Sequence, residues 1–175
     1  AESMVGGTVA LSLSRELGPV LTALMVTARV GSAMATELGT MRVTEQIDAL
    51  EAMAVNPVQY LVTPRVLATT VMMPILTAYF VFLGMVGAWL VATVMLHGDP
   101  GFFLAKTIEW MDPADLYNGL IKATAFGVII ATISCHKGFN AAGGARGVGL
   151  ATTEAVVNSS ILVFVGDYVL TVLMF

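Results

Sequence analysis

Between Val66 and Leu96 the chain runs for 31 residues without an Asp, Glu, Lys or Arg. A surface helix of that length would turn a charged face to water, so a stretch this uniformly apolar belongs in a bilayer. At about 1.5 Å per residue it is longer than a hydrocarbon core of about 30 Å, yet no polar turn divides it and two spans would need roughly 40 residues. One tilted or kinked span is therefore expected, with Pro74 at the kink.

The rest of the chain agrees. Of 175 residues, 57% are hydrophobic and 11% charged, against about a quarter charged in soluble domains. Three more apolar stretches read as spans: Leu17–Leu38, with a start as early as Val9, then Leu116–Cys135 and Leu150–Phe175. The expected fold is all-α, a polytopic transmembrane helical bundle of about four spans forming one domain over residues 1–175. Gly31, Ser32, Ala33 and Ala35 would let another helix approach the first span closely. The connection 97–115 is rich in turn residues and carries a Trp at interface depth.

Several functions are disfavoured on composition. A net charge of −4 offers no basic block for a phosphate backbone, so no nucleic-acid partner is expected. Cys135 has no second thiol and reads as a small buried hydrophobe. His97 and His136 fall on opposite membrane faces, and no His, Cys and carboxylate set has metal-ligand spacing. "GGARGVG" at 143–149 lacks the Lys-Ser/Thr of a phosphate loop and follows no strand, so it reads as a turn. No Walker motif is present, and the chain itself is not expected to be an enzyme.

The segment 39–65 breaks the apolar pattern. Val43, Ile47, Leu50 and Ala54 form an apolar stripe of helical period, while Arg42, Glu45, Asp48 and Glu51 fall largely elsewhere on the wheel. With Thr44 as N-cap and "VNP" at 55–57 as the stop, a short helix of about three turns is expected. Its acidic bias suits a protein groove better than anionic lipid. Lys and Arg in short loops number four on the side of 39–65 and 136–149 (Arg42, Arg65, Lys137, Arg146) and two on the other (Arg15, Lys106). The positive-inside rule then puts the short helix in the cytoplasm and the C-terminus outside.

Ionisable residues at membrane depth are the candidates for chemistry. Arg15 and Glu16 open the first span, Arg29 lies within it about two turns from its cytoplasmic end, and Asp115, Lys122, Glu154 and Asp167 occupy the third and fourth spans. Arg29 can snorkel. Asp115 and Lys122 are two helical turns apart and share a face, so Lys122 is expected to pair with Asp115 or Asp167. The pattern accommodates a structural ion pair and a polar substrate path alike. A secondary transporter, a channel and a membrane scaffold would all accommodate it.

The runs "SRELGP", "ARVGSA", "ELGTM", "EQIDAL" and "TPR", in this order, followed by "IKATAFGVIIATISC", "GGARGVG" and "VGDYVLTVLMF", resemble the MlaE/YrbE permease family of lipid-transporting ABC systems. The resemblance covers nearly the whole chain. Family members carry an additional N-terminal interfacial helix and first span, which makes this chain correspond to a C-terminal portion. The resemblance implies a homodimeric permease in the bacterial inner membrane, docked on a cytoplasmic ABC ATPase subunit and facing a periplasmic MCE-domain lipid-binding protein. Its cargo would be membrane phospholipid, moved to help maintain outer-membrane asymmetry. It also implies that Thr44, Glu45, Ile47, Asp48, Leu50 and Glu51 belong to the coupling helix, and that Arg15, Glu16, Asp115, Lys122 and Asp167 line or brace the lipid cavity.

Overall fold

A computed structural model describes residues 5–95 and 98–174, and the regular structure among them is entirely helical. Its elements are α1 (Gly6–Val43), α2 (Gln46–Ala52), α3 (Val58–Met95), α4 (Pro100–Trp110), α5 (Pro113–Phe139) and α6 (Gly144–Met174). The four long helices α1, α3, α5 and α6 are each long and apolar enough to cross a membrane. His97 lies outside the described residues.

All four long helices exceed the predicted spans. The first expected span stops short at Leu17 because Arg15 and Glu16 look like a membrane boundary. In the fold their charges are met by other helices, so α1 continues back to Gly6. The charge-free stretch is a single helix as expected, with Pro74 inside it. Two π-turns bracket α3, at Val58–Val62 and Val91–Met95, and two more interrupt α1, at Leu13–Leu17 and Thr27–Gly31.

The connection after α3 contains α4, which was expected only as loop. Asp99 and Asp112 use the same device to start a helix, each followed by Pro at the first helical position. Their carboxylates accept from the N–H of Gly101 at 2.9 Å and of Ala114 at 3.1 Å. A Pro there loses nothing, because its N–H would have had no helical partner. The glycine-rich turn is also shorter than expected: it ends at Gly143, and Gly144–Gly149 are the opening turns of α6. Val148 packs against Gly39 of α1, and that burial outweighs the poor helix propensity of the glycines.

α5 is the central helix, packed against α1, α3 and α6. Small residues permit this. A Cβ on Gly138 would stand 2.7 Å from the Ala35 carbonyl oxygen, so the two backbones touch directly. Gly31 and Ala35 are buried in the same seam, whereas Ser32 is half-buried and Ala33 exposed. One core cluster joins Ala23, Val26, Met73, Phe126, Ile130 and Val163 across the four long helices. A second joins Leu38, Ile47, Leu61 and Cys135 at the α2 end, where the cysteine is the buried hydrophobe expected of it. Of the most apolar stretch, 11% is buried in α3 and in α6 against 39% in α1 and α5, so α3 and α6 present the apolar outer surface. The chain is a multi-pass membrane protein.

Candidate functional site

The π-turn Leu13–Leu17 organises the charged residues. Gly18 N–H reaches back five residues to the Leu13 carbonyl, and a Cβ at Gly18 would lie 2.4 Å from that oxygen. Only glycine fits there. Pro19 follows, and it has no N–H with which to occupy the Arg15 carbonyl in the α-helical pattern. That carbonyl instead accepts from Lys122 Nζ at 3.4 Å. The Ser14 carbonyl faces Gly119 of α5, where a Cβ would come within 2.2 Å. The motif "SRELGP" thus shapes the backbone so that α5 sits directly against the turn.

The five predicted residues converge here. Arg15 Nε donates to Asp115 Oδ1 at 2.6 Å. Lys122 Nζ donates to Glu16 Oε1 at 2.9 Å, to Asp167 Oδ1 at 3.3 Å and to Thr171 Oγ1 at 2.7 Å. Of the two expected partners, Lys122 takes Asp167, and Asp115 is bound by Arg15. The two-turn spacing does put Asp115 and Lys122 on one face of α5, and the two pairs stack along it. Burial grades outward, with the Lys122 side chain fully buried, Asp167 at 21% exposure, and Glu16 and Arg15 near 40%. Two cations meet three carboxylates: Lys122 and Asp115 are the buried members, while Arg15, Glu16 and, to a lesser degree, Asp167 keep contact with the exterior.

Thr171 was not anticipated. It stands four residues after Asp167, on the same face of α6, and that spacing is the signal that could have found it. Arg29 and Glu154 lie elsewhere. Glu154 pairs with Lys137 at 2.7 Å. Arg29 is exposed, and because α1 runs on to Val43 it lies about four turns from the helix end, not two, so snorkelling is a poorer account of it.

At the other end of α1, the short helix differs from expectation in its limits. Thr44 is not its N-cap: its hydroxyl donates back to the Thr40 carbonyl at 2.8 Å, closing α1. Glu45, at φ 60°, makes the corner, and α2 covers only Gln46–Ala52. It stops before "VNP": Ala54 is left-handed at φ 59°, with Ala54 N–H on Glu51 O and Val55 N–H on Leu50 O. This is a Schellman stop with alanine in the glycine position. Asn56 serves the next helix, accepting from Val58 N–H at 3.0 Å. Ile47 is buried, Leu50 packs beside it, and Ala54 is exposed. The apolar stripe is thus used on the protein's own core. Thr44, Glu45, Asp48 and Glu51 face outward, Asp48 bound to Arg42 at 2.6 Å.

Comparison with known proteins fits this architecture. A probable ABC transporter permease protein of Rickettsia prowazekii is 48% identical over 175 residues, all of this chain and 68% of the relative. The intermembrane phospholipid transport system permease protein MlaE of Haemophilus influenzae is 40% identical, across 100% of this chain and 67% of its own length. The chloroplastic protein trigalactosyldiacylglycerol 1 of Arabidopsis thaliana is 41% identical over 95% of this chain and 48% of its own length. The family model for permease MlaE matches residues 1–173, and the chain belongs to that family.

Proposed function

We propose that this chain is the permease subunit of an ABC system that moves glycerophospholipid between the bacterial inner membrane and a periplasmic MCE-domain carrier, helping to maintain outer-membrane lipid asymmetry. The observation that carries the reading is the convergence of Arg15, Glu16, Asp115, Lys122 and Asp167 from three helices of an apolar bundle. Ionisable groups at membrane depth are costly and mark polar paths by default. A partly exposed set of both signs suits a zwitterionic headgroup, whose phosphate would meet Arg15, the more exposed of the two cations, while the buried Lys122 ammonium holds the carboxylates in place. The phospholipid-system name of the Haemophilus relative points the same way.

In this reading ATP is hydrolysed by a cytoplasmic partner, and the permease works as a homodimer whose second copy completes the cavity. α2 is the coupling helix, on the cytoplasmic side, and the C-terminus is periplasmic. α2 and the charged set lie at opposite ends of α1 and α5, so a push on α2 would reach the cavity through two continuous helices and bias it between open and closed states. The test is lipid transfer by the whole complex, reconstituted in vesicles, with Lys122→Ala. Transfer should fall while the chain still inserts and assembles; transfer at the normal rate would remove the cavity role.

A further inference from the structure

Six of the eight Lys and Arg residues are bound to carboxylates. The two with no ion pair among the described residues are Arg146 and Arg29. Arg146 stands in the first turn of α6, at a helix end. Arg29 stands midway along α1, thirteen residues from Glu16 and fourteen from Val43, about 20 Å of helix in either direction. With a hydrocarbon core of about 30 Å, that is membrane depth, where a guanidinium needs an anion.

The local structure is built rather than incidental. Arg29 occupies the second π-turn of α1, as Arg15 and Glu16 occupy the first, and such turns concentrate at functional sites. It lines an open groove of about 590 Å³ with Ser32, Thr36, Glu37, Thr40 and Thr152. The hydroxyls of Ser32, Thr36 and Thr40 donate back to the carbonyls of Ala28, Ser32 and Thr36. Ser32 and Thr40 thus turn lone pairs to the groove, and Thr36, which also shares a 2.9 Å hydrogen bond with Thr152, keeps one. Glu37, held by Arg65 at 2.8 Å, keeps 68% of its side chain exposed beside them.

We propose that this groove is a second headgroup station for a glycerophospholipid in transit, in which Arg29 holds the phosphate diester while Glu37 and the hydroxyl oxygens accept N–H bonds from a primary-ammonium headgroup. The proposal rests on the reading of the chain as a lipid permease. It gives the lipid a polar foothold about 20 Å of helix from the Lys122 set, on the α2 side. It also favours phosphatidylethanolamine, which carries N–H donors, over phosphatidylcholine, which carries none.

The test uses the complete complex in nanodiscs of mixed phosphatidylethanolamine and phosphatidylcholine, with one or the other carrying a photoactivatable group beside the glycerol ester. Phosphatidylethanolamine should label the segment 32–41, and Arg29→Ala should reduce that label about tenfold or more, as expected for a lost charge-assisted contact. Arg29→Lys should keep part of it. Thr36→Val, which leaves the arginine in place, should lower the preference over phosphatidylcholine. Lys122→Ala should retain the label, so a failure of the Lys122 cavity role reads separately. Labelling indifferent to Arg29 overturns the station, and equal labelling by phosphatidylcholine overturns the headgroup assignment. An Ala33→Cys disulfide between two copies, with no lipid label, would show a second chain covering the groove and overturn both.

Discussion

Lys122 and Glu16 are 106 residues apart in sequence and joined by a 2.9 Å hydrogen bond. The lysine is fully buried and its partner is partly exposed, so the pair runs from the bundle interior toward an opening. Asp167 and Thr171 close the shell from α6 and the Arg15 carbonyl closes it from α1. The ammonium is thereby the point at which α1, α5 and α6 are tied together.

Lys122→Met should remove that tie and leave Glu16 and Asp167 facing each other. Breaking a buried ion pair costs about 3–5 kcal/mol, but both carboxylates retain some solvent here, so about 2–3 kcal/mol is expected. Thermal unfolding of the solubilised complex would read it. Glu16→Gln, which keeps a hydrogen-bond acceptor for the lysine, should cost visibly less; equal losses would mean that the charge of Glu16 dominates the pair.

Gly119→Ala tests whether the close approach at the π-turn sets the site. The added methyl would lie 2.2 Å from the Ser14 carbonyl oxygen, so α5 must move away from α1 and carry Asp115 and Lys122 with it. Overpacking of this kind costs about 1–3 kcal/mol. Gly149→Ala is the matched control, since nothing lies within 4 Å of its Cβ position and helix propensity alone predicts a gain of up to about 1 kcal/mol. A neutral Gly119→Ala would show that the contact is loose and that the pairs are placed by other means.

The spans were legible in the sequence because long apolar runs admit one solvent, and composition marked seven charges within or beside them that would need partners. The selection of Arg15, Glu16, Asp115, Lys122 and Asp167 from those seven rests on the family resemblance, since Arg29 and Glu154 carry the same compositional signal and lie elsewhere. What was not legible depends on tertiary contact. Which carboxylate meets Lys122 is decided by the relative heights of α1, α5 and α6, and helical spacing reports only the face. The helical start of α6 depends on Val148 meeting Gly39 across the bundle, a contact that outweighs a glycine-rich composition. α4 is a different case: the Asp-Pro pairs at 99–100 and 112–113 are readable start signals, but Asp, Pro and Gly at 98–101 and 112–113 fit a turn equally well until the helix they cap is seen. Thr44 failed as an N-cap because α1 overran the expected span end by five residues and used it first.

Ala54 offers a stabilising change. Its left-handed φ of 59° carries a steric cost that glycine avoids, while the two Schellman hydrogen bonds after α2 remain available to either residue. Ala54→Gly should raise stability, by less than about 1 kcal/mol because glycine also gives up unfolded-state restriction. The measurement is the unfolding midpoint of the solubilised protein. A lower midpoint would mean that the unfolded-state term prevails at this corner.

The outward charges of α2 provide the sharpest test of its proposed coupling role. Because Ile47 and Leu50 are committed to the core, a partner protein can meet only the polar side of this helix. Asp48 is bound to Arg42, so reversing its charge would also disturb the end of α1. Glu45 and Glu51 are exposed and make no ion pair among the described residues, which makes them the cleaner pair to change. Glu45→Lys with Glu51→Lys should release the ATPase subunit in a pull-down from membranes, with little effect on unfolding of the permease, since exposed charges contribute about 0–1 kcal/mol each. Ile47→Ala should do the reverse and destabilise the chain by about 2–5 kcal/mol, as a truncated core residue does. Co-purification unaffected by the double reversal would remove α2 from the ATPase interface and leave it as a corner that packs only against its own bundle.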